Sequence, residues 1–217
     1  MKKTSGMAAT RTNDQGKVEV MLQLKPGETC ILRAFRSKSQ GKQWQYLEES
    51  DDAQTIEGWD VSFVEGGPTL PSGFSSAAPA LWTENGGEEA QWFAGTAEYN
   101  TTFQKPRDSG ADAWILDLGE VCHSARVELN GKHIATLISP PFQVNITDAL
   151  QEGENELTVK VTNLAANRIR YIEQKDIERP QFYNIGLHFN ASGWSVMKSG
   201  LEGPVHLIPA EQKDIGQ

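Results

Sequence analysis

The chain has 217 residues, 38% of them hydrophobic, and a formal charge of −9. That composition can fill one sizeable core, while the acidic balance and the lack of any extended basic run argue against a nucleic-acid backbone as partner. No apolar stretch approaches the roughly 18 residues that a membrane-spanning helix needs.

Residues 1–17 are polar and lack the apolar centre of a secretory signal, so they read as a flexible start or linker. Two apolar runs follow, Val18–Leu24 and Thr29–Phe35, flanking Lys25-Pro-Gly-Glu28. A Pro-Gly turn between such runs predicts a β-hairpin. Trp59–Val64 reads as a strand, and Glu65–Ala80 as a long Gly/Pro/Ser/Ala-rich connection. Leu81–Glu89 reads as a turn-rich loop around Trp82, and Gly95–Phe103 as a further strand. Trp114–Ala135 then carries strands on both sides of Asn130-Gly131, a pair suited to the positive φ angles of a two-residue type I′ hairpin. A short helical turn is expected near Asp148–Leu150, then a cleanly alternating strand over Leu157–Thr162. From Asn163 to Ser199 the periodicity is lost, and Pro204–Ile208 reads as the last strand. Many strands with almost no helix point to a sandwich or barrel.

Catalytic signatures do not emerge. His123, His133, His188 and His206 lack the close pairing of a metal-binding jelly roll. The carboxylates cluster in loops such as Glu48–Asp52 and Glu84–Glu89, where charge mostly serves solvation, and no Gly-x-Ser-x-Gly elbow is present. Cys30 and Cys122 lie in apolar strand-like contexts and read as two buried thiols rather than one disulfide. No catalytic residue, metal ligand or cofactor is assigned.

Aromatic residues in or beside loops are the remaining signal, because sugar C–H faces pack on Trp and Tyr while polar neighbours bond the hydroxyls. The candidate carbohydrate-binding residues are Trp82, Trp92, Asn167, Arg168, Tyr171, Tyr183 and Trp194. Arg168 and Asn167 suit hydroxyl bonding, and Arg168 a uronate carboxylate; the competing reading is an arginine that pins a long loop to the sandwich. Trp59 and Trp114, which open strands, are expected in the core.

Several motifs occur together and in order: Trp92–Phe103, Leu116-Asp-Leu-Gly119, Ala125–Gly131, Gly153–Val159, Val161-Thr-Asn-Leu164 with Asn167-Arg168, and Ser199–Val205. They resemble the sugar-binding jelly-roll domain of glycoside hydrolase family 2, and more closely the C-terminal galactose-binding-like domain of proteins similar to family 106 α-L-rhamnosidases. The resemblance covers about residues 56–209. It implies an all-β, antiparallel jelly-roll β-sandwich with an N-terminal β-hairpin extension: a flexible segment 1–17, hairpin and linker 18–55, sandwich 56–209 and tail 210–217. Residues 18–35 resemble the strand pair that finishes the preceding module in such enzymes.

The function implied is a non-catalytic carbohydrate-binding module of a bacterial enzyme that degrades plant polysaccharide, with a plant cell-wall or pectic glycan and the parent's catalytic domain as partners. The alternative is a structural domain that docks on the catalytic domain without binding glycan. A secreted or periplasmic parent is expected, without a signal peptide in this chain. Domains of this kind sometimes hold a structural calcium ion, but no loop here offers a clear set of oxygen ligands.

Overall fold

The computed structural model describes residues 5–36, 40–107, 110–178 and 190–215. In chain order the strands are β1 (Thr10–Thr12), β2 (Val18–Val20), β3 (Leu47–Glu49), β4 (Gln54–Thr55), β5 (Trp59–Gly67), β6 (Phe74–Ser76), β7 (Ala94–Gln104) and β8 (Ala113–Asp117). There follow β9 (Glu120–Cys122), β10 (Ser124–Leu129), β11 (Lys132–Leu137), β12 (Gln143–Asn145), β13 (Glu154–Thr162), β14 (Gly200–Gly203) and β15 (His206–Gln212). Helices α1 (Trp82–Asn85) and α2 (Gly87–Ala90) precede β7, and α3 (Ala166–Gln174) follows β13.

Two antiparallel sheets carry the fold. One has six strands in the order β11-β10-β13-β7-β5-β6, the other runs β12-β8-β15-β3 with β4 also paired to β15. Their inner faces follow directly from period-2 patterning. In β5, Trp59, Val61 and Phe63 are buried while Asp60, Ser62 and Val64 are exposed. In β13, Asn155, Leu157, Val159 and Val161 point inward. Facing them from the second sheet are Trp114, Leu116, Val144 and Leu207, all in one continuous core. This is an all-β antiparallel sandwich, as expected, and Trp59 and Trp114 are core residues.

The Asn130-Gly131 turn forms as its sequence dictates, with φ of 52° and 72°. The Asn130 side chain also accepts a hydrogen bond from Glu156 N and donates to Ala149 O and Asn155 Oδ1. Its hydrogen-bonding capacity is spent inside the scaffold. The helical turn at 148–150 is present, with the amides of Ala149 and Leu150 donating to Ile146 O.

Four expectations need correction. The Val18–Leu24/Thr29–Phe35 hairpin does not form a ladder. The turn closes, with Glu28 N donating to Lys25 O and Gly27 at φ of 90°, yet β2 pairs instead with β1 and residues 21–36 carry no strand. A two-stranded ribbon without a third strand or a helix behind it is marginal. The second correction concerns 1–17, which is not wholly irregular: β1 lies within it, and Asn13 Oδ1 closes the β1–β2 turn by accepting from Gln15 N and Lys17 N. Third, Leu81–Glu89 is not an open loop but holds α1 and most of α2, and the segment after Asn163 contains α3. Lastly, Cys30 is exposed rather than buried, Cys122 is partly buried, and both thiols are free.

The second sheet draws β3 and β4 from residues before 56, and β15 runs on to Gln212. On its outer side Ala113, Ile115, Ile208 and Ala210 form a small separate cluster with Leu47. A strap formed by residues 21–27 crosses this side. The Gln23 amide bonds the backbone of Leu47 in both directions, and the Lys25 amine joins Glu49 of β3 to Gln143 of β12 at opposite edges of the sheet.

Candidate functional site

The end of the sandwich that bears α1, α2 and α3 gathers most of the aromatic candidates. Helix α3 has nine residues and no side-chain N-cap, too short to persist without tertiary support. The support comes from one stripe at helical spacing. Asn167 Nδ2 donates to Met197 O at 2.7 Å while its Oδ1 accepts from Met197 N at 2.8 Å. Arg170 Nε donates to Trp194 O at 2.7 Å, and Gln174 Nε2 to Ser192 O at 2.9 Å. Positions i, i+3 and i+7 lie on one helix face, and here that face fastens α3 to the 192–199 segment.

The neighbouring stripe is Arg168, Tyr171 and Lys175, again at i, i+3 and i+7. Tyr171 stacks on Trp92, with ring centroids 4.3 Å apart and planes at 21°. The Arg168 guanidinium carbon lies 5.5 Å and the Lys175 amine 5.9 Å from the Tyr171 ring centre. Trp92, Arg168 and Tyr171 are half-buried and Lys175 is exposed. Trp92 is positioned by Asn163, whose amide donates to Phe93 O and accepts from Gly95 N. An aromatic pair with two cations is thus presented at the surface, on a base of partly buried amide hydrogen bonds. Such a surface can stack a sugar's C–H face and bond hydroxyls or a carboxylate.

The other candidates separate from it. Trp82 is 0% exposed. It packs edge-on against Phe63 at 5.9 Å and Phe93 at 6.2 Å, so it is a core residue and no ring face is open for stacking. The helical turn of α1 sends Trp82 inward and Glu84 outward, which the polar composition of 83–89 conceals. Asn167 is 2% exposed, with its amide committed to the backbone of Met197; it positions α3 and is closed to ligand. Trp194 is 40% exposed beside α3, its carbonyl held by Arg170. Tyr183 lies outside the described residues. Lys175 was not among the candidates, because its place beside Tyr171 depends on α3, which the lost periodicity of 163–199 did not reveal.

A shallow cleft of about 190 Å³ lies between α1 and the segment leading to β14, lined by Thr83, Glu84, Gln91, Val196 and Lys198. Glu202 hydrogen-bonds the Lys198 amine at 2.5 Å and raises its pKa above the ordinary lysine value. Near β14, burial and then the charge of Glu202 push the Cys122 thiol up, which keeps it protonated and unreactive at neutral pH. Burial likewise raises the Tyr99 phenol, which donates to Ala80 O at 2.8 Å as a core strut. Among the described residues no group of three or more His, Cys, Asp or Glu side chains is placed to hold a metal ion.

A family profile described as glycosyl hydrolase 2 galactose-binding domain-like matches residues 77–195. A putative β-glucuronidase of Formosa agariphila is 38% identical over 113 residues, 51% of this chain and 10% of that protein. A β-glucuronidase of Paenibacillus borealis is 31% identical over 105 residues, 44% of this chain and 17% of that protein. The chain therefore matches only 10% and 17% of the length of these curated relatives. Among solved structures, a rhamnosidase from Novosphingobium sp. PP1Y superposes with a TM-score of 0.58 at 25% identity, over 81% of this chain and 16% of that one.

Proposed function

Since this chain belongs to the glycosyl hydrolase 2 galactose-binding domain-like family, we propose that it is the accessory domain of a longer glycoside hydrolase and contacts glycan at its α3 end. The domain is of the galactose-binding-like type and does not itself contain a catalytic barrel; the chemistry would belong to another domain of the parent. The observation that carries the glycan reading is the surface pair Trp92–Tyr171 with Arg168 beside it. Stacking on the accessible parts of the pair would supply affinity, and the guanidinium would orient the sugar by hydrogen bonds. Plant cell-wall or pectic polysaccharide is the ligand class this reading favours.

Affinity electrophoresis of the whole chain through gels containing pectic or hemicellulosic glycan tests it. Retardation by at least one glycan, reduced in both Trp92→Ala and Tyr171→Ala with the fold intact by circular dichroism, is the expected outcome. Migration unaffected by every glycan would sink the reading.

A second reading rests on a different observation. In the N-terminal segment Val18, Leu22, Leu24, Ile31, Leu32 and Phe35 are all exposed, Ile31 at 98%. So many large apolar side chains on one short segment suit burial against another domain. The relatives' greater length supplies a candidate, the neighbouring domain of the parent enzyme. The two readings use separate surfaces and can both hold.

A further inference from the structure

In this acidic chain many basic side chains of the sandwich are matched to carboxylates: Lys105 to Glu152, Arg126 to Glu128, Lys160 to Glu98 and Lys198 to Glu202. The α3 stripe departs from that pattern. Arg168 and Lys175 direct their charged groups at one ring, within 6 Å of the Tyr171 centre. Among the described residues neither has a carboxylate within ion-pairing distance. Tyr171 already shares a stacking contact with Trp92. A ring quadrupole attracts cations but leaves their charge uncompensated, and two like charges gathered at one ring repel.

An anion between the two heads would relieve that repulsion and accept charge-assisted hydrogen bonds from both. A free inorganic ion would make no use of the adjoining indole. A sugar acid would, because its carboxylate can meet the cations while its C–H face meets the aromatic pair. We propose that Arg168, Lys175, Tyr171 and Trp92 form a subsite for a uronate residue of a glycan, with the carboxylate held by the two cations. This rests on the glycan-binding reading above and adds the charge of the ligand to it.

The test is calorimetry on the whole chain with trigalacturonate and with its methyl ester, which keeps the ring and removes the charge. The acid binds at least about tenfold more tightly, as a charge-assisted bond predicts, and the advantage shrinks as salt rises from about 0.05 to about 0.5 M. Lys175→Gln reduces the advantage and leaves ester binding within about twofold, while Arg168→Gln weakens both ligands and also reduces the advantage of the acid. Trp92→Ala weakens acid and ester alike. Unchanged melting temperatures show that these surface variants still fold. Equal affinity for acid and ester overturns the uronate subsite and leaves the glycan reading standing. An acid preference that survives both glutamine variants, or acetate competing as well as the oligosaccharide, also overturns it. If neither acid nor ester binds, while a neutral glycan retards the chain, only the uronate subsite falls; if no glycan binds at all, both proposals fall together.

Discussion

Two regions lie outside the main strand ladders, and they are held in opposite ways. The α3 end is fastened by two amides: half-buried Asn163 bonds Phe93, Gly95 and Ser199, and fully buried Asn167 bonds both backbone groups of Met197. The N-terminal strap is fastened by hydrogen bonds that are exposed or only partly buried, from Gln23 to Leu47, from Tyr46 to Met21 and from Ala9 to Tyr46. At that end of the sandwich Trp82 and Phe93 lie in the core, whereas Leu22 and Leu24 of the strap are exposed. A hydrogen bond away from water is costly to lose, while one in water is readily exchanged. The α3 end is thus part of the domain's own fold. The strap has the composition of a core element with nothing packed over it.

The strongest way to break that contrast is at Trp82, the largest side chain joining the α1 region to the core. Trp82→Ala should cost about 3–5 kcal/mol, measured by urea unfolding. Trp82→Phe should cost much less and leave glycan retardation unchanged, as expected of a residue with no open ring face. Reduced retardation in a folded Trp82→Phe chain would return Trp82 to the binding site.

Next comes Asn167→Leu, which leaves Met197 N and O without their partner. About 2–3 kcal/mol is expected from stranding two backbone groups, together with faster amide exchange across α3 and 192–199. Exchange unchanged in α3 would show that Arg170 and Gln174 suffice to hold the helix, and the buried amides would lose their distinction from the strap's surface bonds.

What could be read from the sequence follows the same division. The sandwich was legible because the first half of β5 and the whole of β13 alternate and Asn130-Gly131 fixes a hairpin without tertiary help. The helices were not. Helix α1 and helix α2 are four residues each, separated by Gly86, and in sequence they resemble a polar loop. Asn167 carries no local signal, since its partner lies thirty positions away. The pairing of Trp92 with Tyr171 also joins distant segments, so two separate candidates became one surface only in three dimensions. In the strap the apolar run was legible although the hairpin it suggested does not form; a pattern specifies which side chains seek burial, not what buries them.

The strap supplies a smaller effect. Tyr46→Phe removes a hydroxyl that accepts from Ala9 N and donates to Met21 O, both at 2.9 Å. Limited proteolysis should cut the 18–36 region faster by several-fold, as opening by about 1–2 kcal/mol predicts, with the melting temperature of the sandwich nearly unchanged. A fall in that temperature as large as for Asn167→Leu would mean that the strap folds as one unit with the sandwich. Ile31→Ser and Phe35→Ser, at exposed positions, should leave stability within about 0.5 kcal/mol.

The smallest effect belongs to β10 and β13, neighbouring strands inside the six-stranded sheet. The Arg126 side chain hydrogen-bonds Glu128 at 2.8 Å, and Lys160 adds a longer ion pair at 3.7 Å. The bond from Arg126 lowers the Glu128 pKa most, burial opposes it, and the charge of Lys160 adds to the lowering. A carboxyl whose folded pKa is depressed stabilises the fold above its unfolded value, near 4.3, and loses that contribution as pH falls through the folded value. Glu128→Gln should therefore cost less than about 1 kcal/mol at pH 7 and nothing once the medium is acid enough to protonate Glu128 in both states. Urea midpoints of the two proteins should converge as pH falls below about 4.3. A gap that persists at low pH would assign the loss to packing along β10 rather than to charge, and would place even this exposed pair with the buried contacts of the sandwich instead of with the solvent-exchanged bonds of the strap.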